Sequence, residues 1–249
     1  MKVSLFITCL ADQMFPEVGL SAVRVLRRFG CEVDFPEAQV CCGQPAFNSG
    51  YRDEARSVAR TLLDAFEASE HVVSPSGSCT GMIHHYYEEL FRDEPEALAL
   101  ARRLRDKTRE FSQFLRQVLG IEQLAARFPE SVTYHASCHG SRLLGAKREP
   151  LELLNMVEGI ELRELPRCED CCGFGGTFSV KLSDLSAAMA DEKVTNIEST
   201  GARYLVGTDM GCLMNIAGRM RRRRVEVEAL HLAELLDRAL ANAEGAKTS

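Results

Sequence analysis

Short apolar runs alternate with amphipathic stretches along most of the chain. The apolar runs have the length and β-rich composition of buried strands. They predict strands over 2–8, 31–35, 71–75, 132–137 and 160–165. The stretches between them repeat apolar residues at helical spacing and predict helices over 16–29, 51–68 and 94–119, the last bridging two halves of the chain. Helices that alternate with short buried strands are typical of an α/β fold with parallel sheets.

The second half of the chain repeats the first at an offset of about 130 residues. The matching segments are VSLFITC (3–9) with VTYHASC (132–138), HVVSPSGSC (71–79) with RYLVGTDMGC (203–212), and EFSQFLRQVL (110–119) with HLAELLDRAL (231–240). A period this long indicates a duplication rather than a solenoid. We therefore predict two similar lobes related by a pseudo-twofold axis, each a small, mostly parallel sheet flanked by helices.

Length and composition fit two small domains without a membrane span. Of the 249 residues, we assign 1–128 to an N-terminal lobe with bridging helices, 129–241 to a C-terminal lobe and 242–249 to a disordered tail. A net charge of −6 argues against a general nucleic-acid binder, and no apolar run is long enough for membrane insertion. The N-terminal stretch MKVSLFITCLADQMF lacks the long apolar region of a signal peptide, so we interpret it as a strand and expect a cytoplasmic protein.

Eight of the ten cysteines form two copies of one pattern. The copies are Cys9, Cys41-Cys42-Gly43 and Cys79, then Cys138, Cys171-Cys172-Gly173 and Cys212. The intervening segments contain 31 and 36 residues in the first copy and 32 and 39 in the second. In a reducing compartment, clustered cysteines indicate metal or redox chemistry more often than disulfides. Four sulfurs are the ligand count of a tetrahedral zinc ion or a four-iron cluster.

The predicted strands bring each set of cysteines to one place. Each set draws its members from positions just after predicted strands, and the carboxyl edge of a parallel sheet is where ligands gather. Gly43 and Gly173 allow a tight turn after two ligands, while Gly175 and Gly176 let backbone N–H groups approach sulfurs. No nucleophile–base set, carboxylate pair or nucleotide-binding loop stands out, so we predict no catalytic residue on this chain.

Several segments carry a resemblance to a known family. They are FPEAQVCCGQPAFNSGY (35–51), SPSGSC (74–79), YHASCH (134–139), and CCGFGGTFSVK with SAAMADEKVTNI (within 171–197). On these segments, and over nearly the whole chain, the sequence resembles the LutA/YkgE family, lactate utilisation protein A. That family shares its cysteine-rich CCG domain with the cysteine-rich component of heterodisulfide reductase and with the iron–sulfur component of glycolate oxidase.

The resemblance implies an iron–sulfur protein that transfers electrons in the oxidation of L-lactate to pyruvate, together with two partner proteins of the LutB and LutC kinds. It implies that a [4Fe–4S] cluster is held by Cys138, Cys171, Cys172 and Cys212 with Gly173, Gly175 and Gly176. It implies a second metal site, for another cluster or for zinc, at Cys9, Cys41, Cys42 and Cys79. We expect the cluster in the second lobe because its glycine loop is richer.

The chain departs from the heterodisulfide reductase pattern at one position in each lobe. There the last element is Cys-x-x-Cys, and its first cysteine is replaced here by Ser76 and Asp209. Each lobe therefore offers four motif cysteines rather than five. This favours a simple [4Fe–4S] site over a noncubane double cluster.

Other interpretations of the same residues stay open. The alternatives are a zinc-binding or metal-free scaffold protein, an iron–sulfur component of a glycolate oxidase or heterodisulfide-reductase-like complex, and a thiol–disulfide reductase that uses a vicinal cysteine pair. Cys168 could supply a fifth ligand, whereas Cys31 is expected to be a buried apolar residue. His135 and His139 flank Cys138, and His139 could bind a metal or donate to a sulfur. The Arg219 and Arg221–Arg224 run ends a helix in solvent or docks an acidic partner.

Overall fold

The computed structural model describes residues 1–247 as two lobes with the same order of elements. The strands of lobe one are β1 (Lys2–Leu5), β2 (Glu32–Asp34), β3 (Val72–Ser74) and β4 (Thr108–Glu110). The strands of lobe two are β5 (Ser131–His135), β6 (Glu161–Arg163), β7 (Tyr204–Gly207) and β8 (Glu228–His231).

Helices connect and cover these strands. In lobe one they are α1 (Cys9–Met14), α2 (Pro16–Arg28), α3 (Gln44–Asn48), α4 (Arg52–Ala65), α5 (Gly77–His85), α6 (Tyr87–Leu90), α7 (Pro95–Lys107) and α8 (Phe111–Gln113). In lobe two they are α9 (Arg148–Asn155), α10 (Phe178–Lys181), α11 (Ser183–Thr200), α12 (Met210–Arg223) and α13 (Leu232–Lys247). Two π-helical turns span Phe114–Val118 and His139–Leu143.

Each lobe is built on a four-stranded sheet whose strands all run parallel. The strand order is β2-β1-β3-β4 in lobe one and β6-β5-β7-β8 in lobe two. In both sheets the chain leaves the first strand towards one side and then returns to its other side. This reversal places a topological switch point between β1 and β3, and between β5 and β7, where open parallel sheets bind their ligands. The predicted α/β fold with two duplicated lobes is confirmed.

Local sequence explains why the helices form where the apolar periodicity predicts them. Helix α2 begins at Pro16, whose fixed φ suits the first turn, and ends just before Gly30, which takes a φ of +78°. Its buried residues, among them Val18 and Val25, recur at helical spacing and pack against the sheet core. Helix packing of this kind fixes the frame from which the cysteine loops project.

The lobes exchange their last helical segments. Helix α13, at the end of lobe two, packs on α2 of lobe one, and α8, at the end of lobe one, packs on α9 of lobe two. Arg24 Nε on α2 lies 2.6 Å from Asp237 Oδ2 on α13, and Arg116 Nε, in the π-helical turn after α8, lies 2.9 Å from Glu152 Oε2 on α9. One apolar core therefore runs through both lobes and holds their two sheets in a fixed relation.

Two predictions from the sequence were wrong in detail. Segment 94–119 is not one helix, because α7 ends at Lys107 and β4 follows it, paired with β3. Thr108 caps the end of α7 through its hydroxyl, which donates to the Leu104 carbonyl at 2.7 Å, and then enters the extended conformation that β-branched residues favour. Residues 242–247, expected to be a disordered tail, continue α13, while 248–249 lie outside the described residues.

Within residues 1–247, no helix combines the length and the apolar content that crossing a membrane requires.

Candidate metal centre

Both sets of cysteines line one cavity that lies between the carboxyl edges of the two sheets. The cavity has a volume of about 400 Å³, and all eight motif cysteines contribute to its wall. Other lining residues include His139, Phe174, Gly175, Gly176 and Asp209. Within each lobe the strands bring the motif cysteines to one sheet edge, as the parallel-sheet interpretation predicts, and the two facing edges share this cavity.

In lobe one the four sulfurs form two close pairs. Cys9 Sγ lies 3.6 Å from Cys41 Sγ, and Cys42 Sγ lies 3.4 Å from Cys79 Sγ. The backbone N–H of Gly43 donates to Cys41 Sγ at 3.4 Å. All of these cysteines are free thiols, so the pairs are contacts and not disulfides.

Lobe two repeats this arrangement with different neighbours. Cys171 contacts Cys138 on one side and Cys172 on the other, and Cys172 in turn contacts Cys212. The N–H of Gly173 donates to Cys171 Sγ at 3.4 Å, the same distance as in lobe one. The ring nitrogen Nδ1 of His139 lies 3.5 Å from Cys138 Sγ, so this histidine sits beside a sulfur at the cavity wall.

One thiol in each set is arranged to ionise first. Hydrogen bonds from Cys42 and Cys9 lower the pKa of Cys41 to about 3, and those from its neighbours, chiefly Cys138, lower the pKa of Cys171 to about 2. The donating thiols of Cys9, Cys42 and Cys138 have raised pKa values, because they give up these hydrogen bonds on ionising and because they are buried. Each set therefore carries one negative charge readily, and a bound cation would favour ionisation of Cys9, Cys42 and Cys138.

Each CCG turn requires its glycine because the backbone there lies too close to a helix for a side chain. Gly43 has a φ of +83° and Gly173 a φ of +82°, in the left-handed region that favours glycine. An added Cβ would lie 3.1 Å from the carbonyl oxygen of Ala55 and 2.7 Å from that of Ser186, respectively. The two turns therefore rest on equivalent points of α4 and α11, which are related by an offset of 131 residues.

The family of the chain follows from a comparison with known proteins. The model of the CCG cysteine-rich domain matches twice, over residues 3–84 and 132–217. The chain belongs to the CCG cysteine-rich domain family. Each match runs from the first strand of a lobe into the helix that contains its last motif cysteine.

Relatives within this CCG family match nearly the whole chain. Lactate utilization protein A 2 of Bacillus cereus (strain Q1) is 54% identical over 240 residues, which cover 96% of this chain and 99% of the relative. Lactate utilization protein A of Halalkalibacterium halodurans is 54% identical over 237 residues, covering 95% and 97%. The resemblance to lactate utilisation protein A is thereby confirmed.

A solved structure shows the same fold. A hypothetical protein from Helicobacter pylori aligns with a TM-score of 0.70 at 10% identity, over 99% of this chain and 51% of that one. The chain thus spans about half the length of that protein.

Ser76 and Asp209, which occupy equivalent positions before the last motif cysteines, join the two lobes. The Asp209 carboxylate accepts hydrogen bonds from the N–H of Gly211 at 3.1 Å in its own lobe, and from the N–H of Ser78 at 2.8 Å and the hydroxyl of Ser76 at 3.1 Å in lobe one. It therefore caps α12 and α5 together. The side chains of Ser76 and Asp209 therefore form hydrogen bonds between the two cysteine sets and supply no thiolate.

The structure places Cys168 and Cys31 apart from the eight motif cysteines. Cys31 is buried in the shared apolar core, as predicted. Cys168 is partly buried and does not belong to the described wall of the cavity, and its carbonyl oxygen accepts a hydrogen bond from the ammonium of Lys193 at 3.3 Å. Its assignment as a fifth ligand receives no support from this placement.

Two buried polar residues lie behind the lobe-two cysteines: His135, which the sequence marked only as a neighbour of Cys138, and Lys193, which it did not single out. The ring of His135 reaches Cys172 and Cys212, with the ligand atoms of all three residues within 4.8 Å of one another. Burial lowers the pKa of His135 to about 4, so its imidazole is neutral near pH 7. Lys193, also buried, donates to the carbonyls of Arg167 and Cys168. The sequence signal available for Lys193 was a lysine at a core position of the helix that became α11.

The arginine run at the end of α12 is partly used within the protein. Arg219 pairs with Asp191 on α11, and Arg223 donates to Glu198 at 2.5 Å on the same helix. Arg224 ends the helix in the left-handed conformation. This arrangement fits a solvated helix end that packs on its neighbour.

Proposed function

We propose that this CCG-domain protein is the iron–sulfur electron-transfer component of a system that oxidises L-lactate to pyruvate. The observation that carries the proposal is lobe two, where four thiols converge on one cavity with a buried ammonium and an imidazole behind them. Relatives named lactate utilization protein A, 52–54% identical over nearly the full chain, support lactate as the source of the electrons.

The donor set fits a metal–sulfur centre. Thiolates bind iron and zinc well, and four of them complete the protein ligation of a [4Fe–4S] cluster. The raised pKa values of Cys138 and Cys172 mean that these thiols ionise only when a cation compensates the charge. The cavity of about 400 Å³ gives the room that a cluster needs, which a closed single-ion site does not provide.

The surroundings of lobe two suit a centre that changes its charge. Cys138, Cys171, Cys172 and Cys212 would hold the cluster, which when bound supplies a site that takes up and releases one electron. The Lys193 ammonium behind these sulfurs stabilises added negative charge, since a cation in a buried setting acts through a low dielectric. The N–H of Gly173, which donates to Cys171 Sγ, acts in the same direction.

A zinc ion in lobe one is a second candidate, favoured by the apolar surroundings of its sulfurs. Zinc–sulfur bonds of about 2.3 Å in a tetrahedron separate neighbouring sulfurs by about 3.8 Å. The observed separations of 3.6 Å and 3.4 Å are close to that value, and Phe6 lies in one apolar cluster with Cys42 and Cys79. Lobe one would then be a structural site and lobe two the redox site.

The cavity offers few groups for acid–base chemistry on lactate itself. Apart from the cysteines, the ionisable groups in its described wall are His139 and Asp209. Asp209 is fully engaged in hydrogen bonds that join the lobes. We therefore assign lactate binding and proton abstraction to partner proteins of the LutB and LutC kinds, with this chain relaying electrons.

An apolar surface beside the cavity is where we place the redox partner. Val180 on α10 lines the cavity and is 80% exposed, and Leu182, between α10 and α11, and Leu185 on α11 are also exposed. Val180→Asp should lower lactate-dependent electron transfer by the assembled proteins several-fold at unchanged metal content. The matched control is Leu20→Asp, at an exposed leucine on α2. Equal loss in both variants would remove this surface from the proposal.

The proposed function is tested by metal analysis of protein purified without oxygen. We expect about four irons and four sulfides per chain, with an EPR signal after reduction by dithionite. Zinc without iron, before and after anaerobic reconstitution, would instead support the scaffold alternative. Protein free of both metals that reduces disulfides through its vicinal cysteines would support the thiol–disulfide reductase alternative.

A further inference from the structure

An unsatisfied imidazole lies directly behind the lobe-two cysteines. His135 ends strand β5, and its side chain is 1% exposed. Neither ring nitrogen has a hydrogen-bond partner within normal geometry, although the backbone carbonyl of Cys168 lies near the ring. A buried polar ring without partners is costly, and most buried polar groups in proteins are satisfied. The position therefore requires an explanation beyond packing.

The ring is placed where a ligand would be. A ring nitrogen of His135 and the sulfurs of Cys172 and Cys212 all lie within 4.8 Å of one another, and all three residues are buried. Cys172 and Cys212 also contact each other, so the imidazole closes a triangle with two sulfurs that belong to the candidate site. Imidazole suits both iron and zinc, and it replaces cysteine as a cluster ligand in some iron–sulfur proteins.

Lobe one provides an internal control for this position. Matching 3–9 with 132–138 places Phe6 opposite His135. Phe6 is fully buried and packs edge-on against Phe66, with ring centroids 5.6 Å apart. The same backbone site therefore accepts an apolar ring without difficulty. A polar ring at this place in lobe two alone indicates a function that lobe one lacks.

We propose that His135 is a ligand of the metal centre in lobe two and takes one of its four protein positions, which it shares with donors drawn from Cys138, Cys171, Cys172 and Cys212. Lobe two then offers five donors where lobe one offers four. Binding through one nitrogen leaves the other free to donate to the Cys168 carbonyl, the usual way in which a ligating histidine is oriented. The inference rests on the proposed function only in requiring that lobe two binds a metal.

Pulsed EPR on wild-type protein tests the inference without any substitution. Protein labelled with ¹⁵N-histidine is loaded with iron, reduced, and examined for nuclear coupling to the cluster. We expect a strong histidine ¹⁵N coupling, lost in His135→Phe, which copies lobe one, and kept in the matched control His139→Gln. A cluster signal without strong coupling, or one whose coupling persists in His135→Phe, would overturn the ligand assignment while leaving the proposed function intact.

A second arm separates failure of the inference from failure of the proposed function. If the chain holds zinc and no iron, X-ray absorption of the zinc-loaded Cys42→Ala variant, in which lobe one is disabled, reports the ligands of lobe two. Mixed sulfur and nitrogen ligation that becomes all-sulfur in the additional His135→Phe variant would support His135 as a ligand. All-sulfur ligation from the start would contradict it.

Discussion

The two lobes carry the same four cysteines on the same sheet edge, yet their surroundings differ in kind. Behind the lobe-one sulfurs lie Phe6 and, on α4, Leu62, both fully buried. The equivalent positions in lobe two are His135 and, by the offset that relates α4 to α11, Lys193. Apolar backing suits a site whose charge stays constant, whereas an imidazole and a cation suit a site whose charge changes. Duplication thus preserved the cysteines and changed the electrostatics behind them.

The largest expected effect concerns Asp209, which accepts hydrogen bonds from both lobes. Its lobe-one counterpart, Ser76, donates one hydrogen bond across the contact. Asp209→Ala leaves the N–H groups of Ser78 and Gly211 and the hydroxyl of Ser76 without their acceptor. We expect the free energy of unfolding to fall by about 4 kcal/mol in urea denaturation.

Its counterpart Ser76→Ala is the control, with an expected loss of about 1 kcal/mol, because Asp209 keeps two of its three donors. Equal losses in the two variants would show that the lobes contribute symmetrically to the contact, against this account.

The next effect concerns the pH dependence of the free energy of unfolding. It involves a second pair of equivalent positions that carry different residues in the two lobes. Glu110 and His231 both precede the exchanged helices, and burial raises the pKa of Glu110 to about 7 from its usual 4.5. Between those values the unfolded chain has released the proton that the folded chain still binds. The stabilising contribution of this carboxyl is therefore full below pH 4.5 and is lost as the pH rises to 7.

Glu110→Gln should remove this loss of stability with rising pH, because the amide does not ionise. We expect the wild type to lose roughly 3 kcal/mol relative to the variant between pH 4.5 and pH 8, measured as the difference in free energy of unfolding. Parallel pH profiles for the two proteins would contradict the assignment. Burial lowers the pKa of His231 to about 4, so its contribution runs the other way and is lost as the pH falls from 6.5 to 4.

A smaller effect is expected at Lys193, where the lobes differ by a buried charge. Lys193→Leu copies the lobe-one residue and removes the cation behind the sulfurs. The reduction potential should fall by roughly 100 mV, since a unit charge several ångströms away at an effective dielectric near 20 contributes about 2 kcal/mol. Potentiometric titration measures this shift. The control is Leu62→Met in lobe one, and a potential unchanged by Lys193→Leu would place the redox site away from lobe two.

The smallest effect concerns the ion pairs of the exchanged helices. Asp237 of α13 and Arg116, its counterpart at the end of lobe one, occupy matching positions with opposite charge. A double-mutant cycle with Arg24→Met and Asp237→Asn should give a coupling energy below about 1 kcal/mol, because the pair is partly solvated. A coupling of several kcal/mol would mean that this pair, rather than the shared core, holds the lobes together.

The sequence predicted the sheet-edge convergence of the cysteines because that depends only on local signals: short buried strands, Gly43 and Gly173 after paired cysteines, and a parallel topology. It did not predict β4, because Thr108–Glu110 lies between two helical stretches and becomes a strand only by pairing with β3. The helix exchange depends on how the lobes pack, which no local pattern reports. The position of His135 beside Cys172 and Cys212 likewise depends on the tertiary packing around β5, which is buried on both faces.

The central claim is that lobe two, and not lobe one, holds the redox centre, and dithionite-reduced EPR of two matched variants tests it most directly. Cys42→Ala and Cys172→Ala remove equivalent buried cysteines from the two lobes. We predict that Cys42→Ala retains the iron–sulfur signal and that Cys172→Ala loses it, with both variants folded by circular dichroism. A signal that survives in Cys172→Ala and disappears in Cys42→Ala would contradict the account.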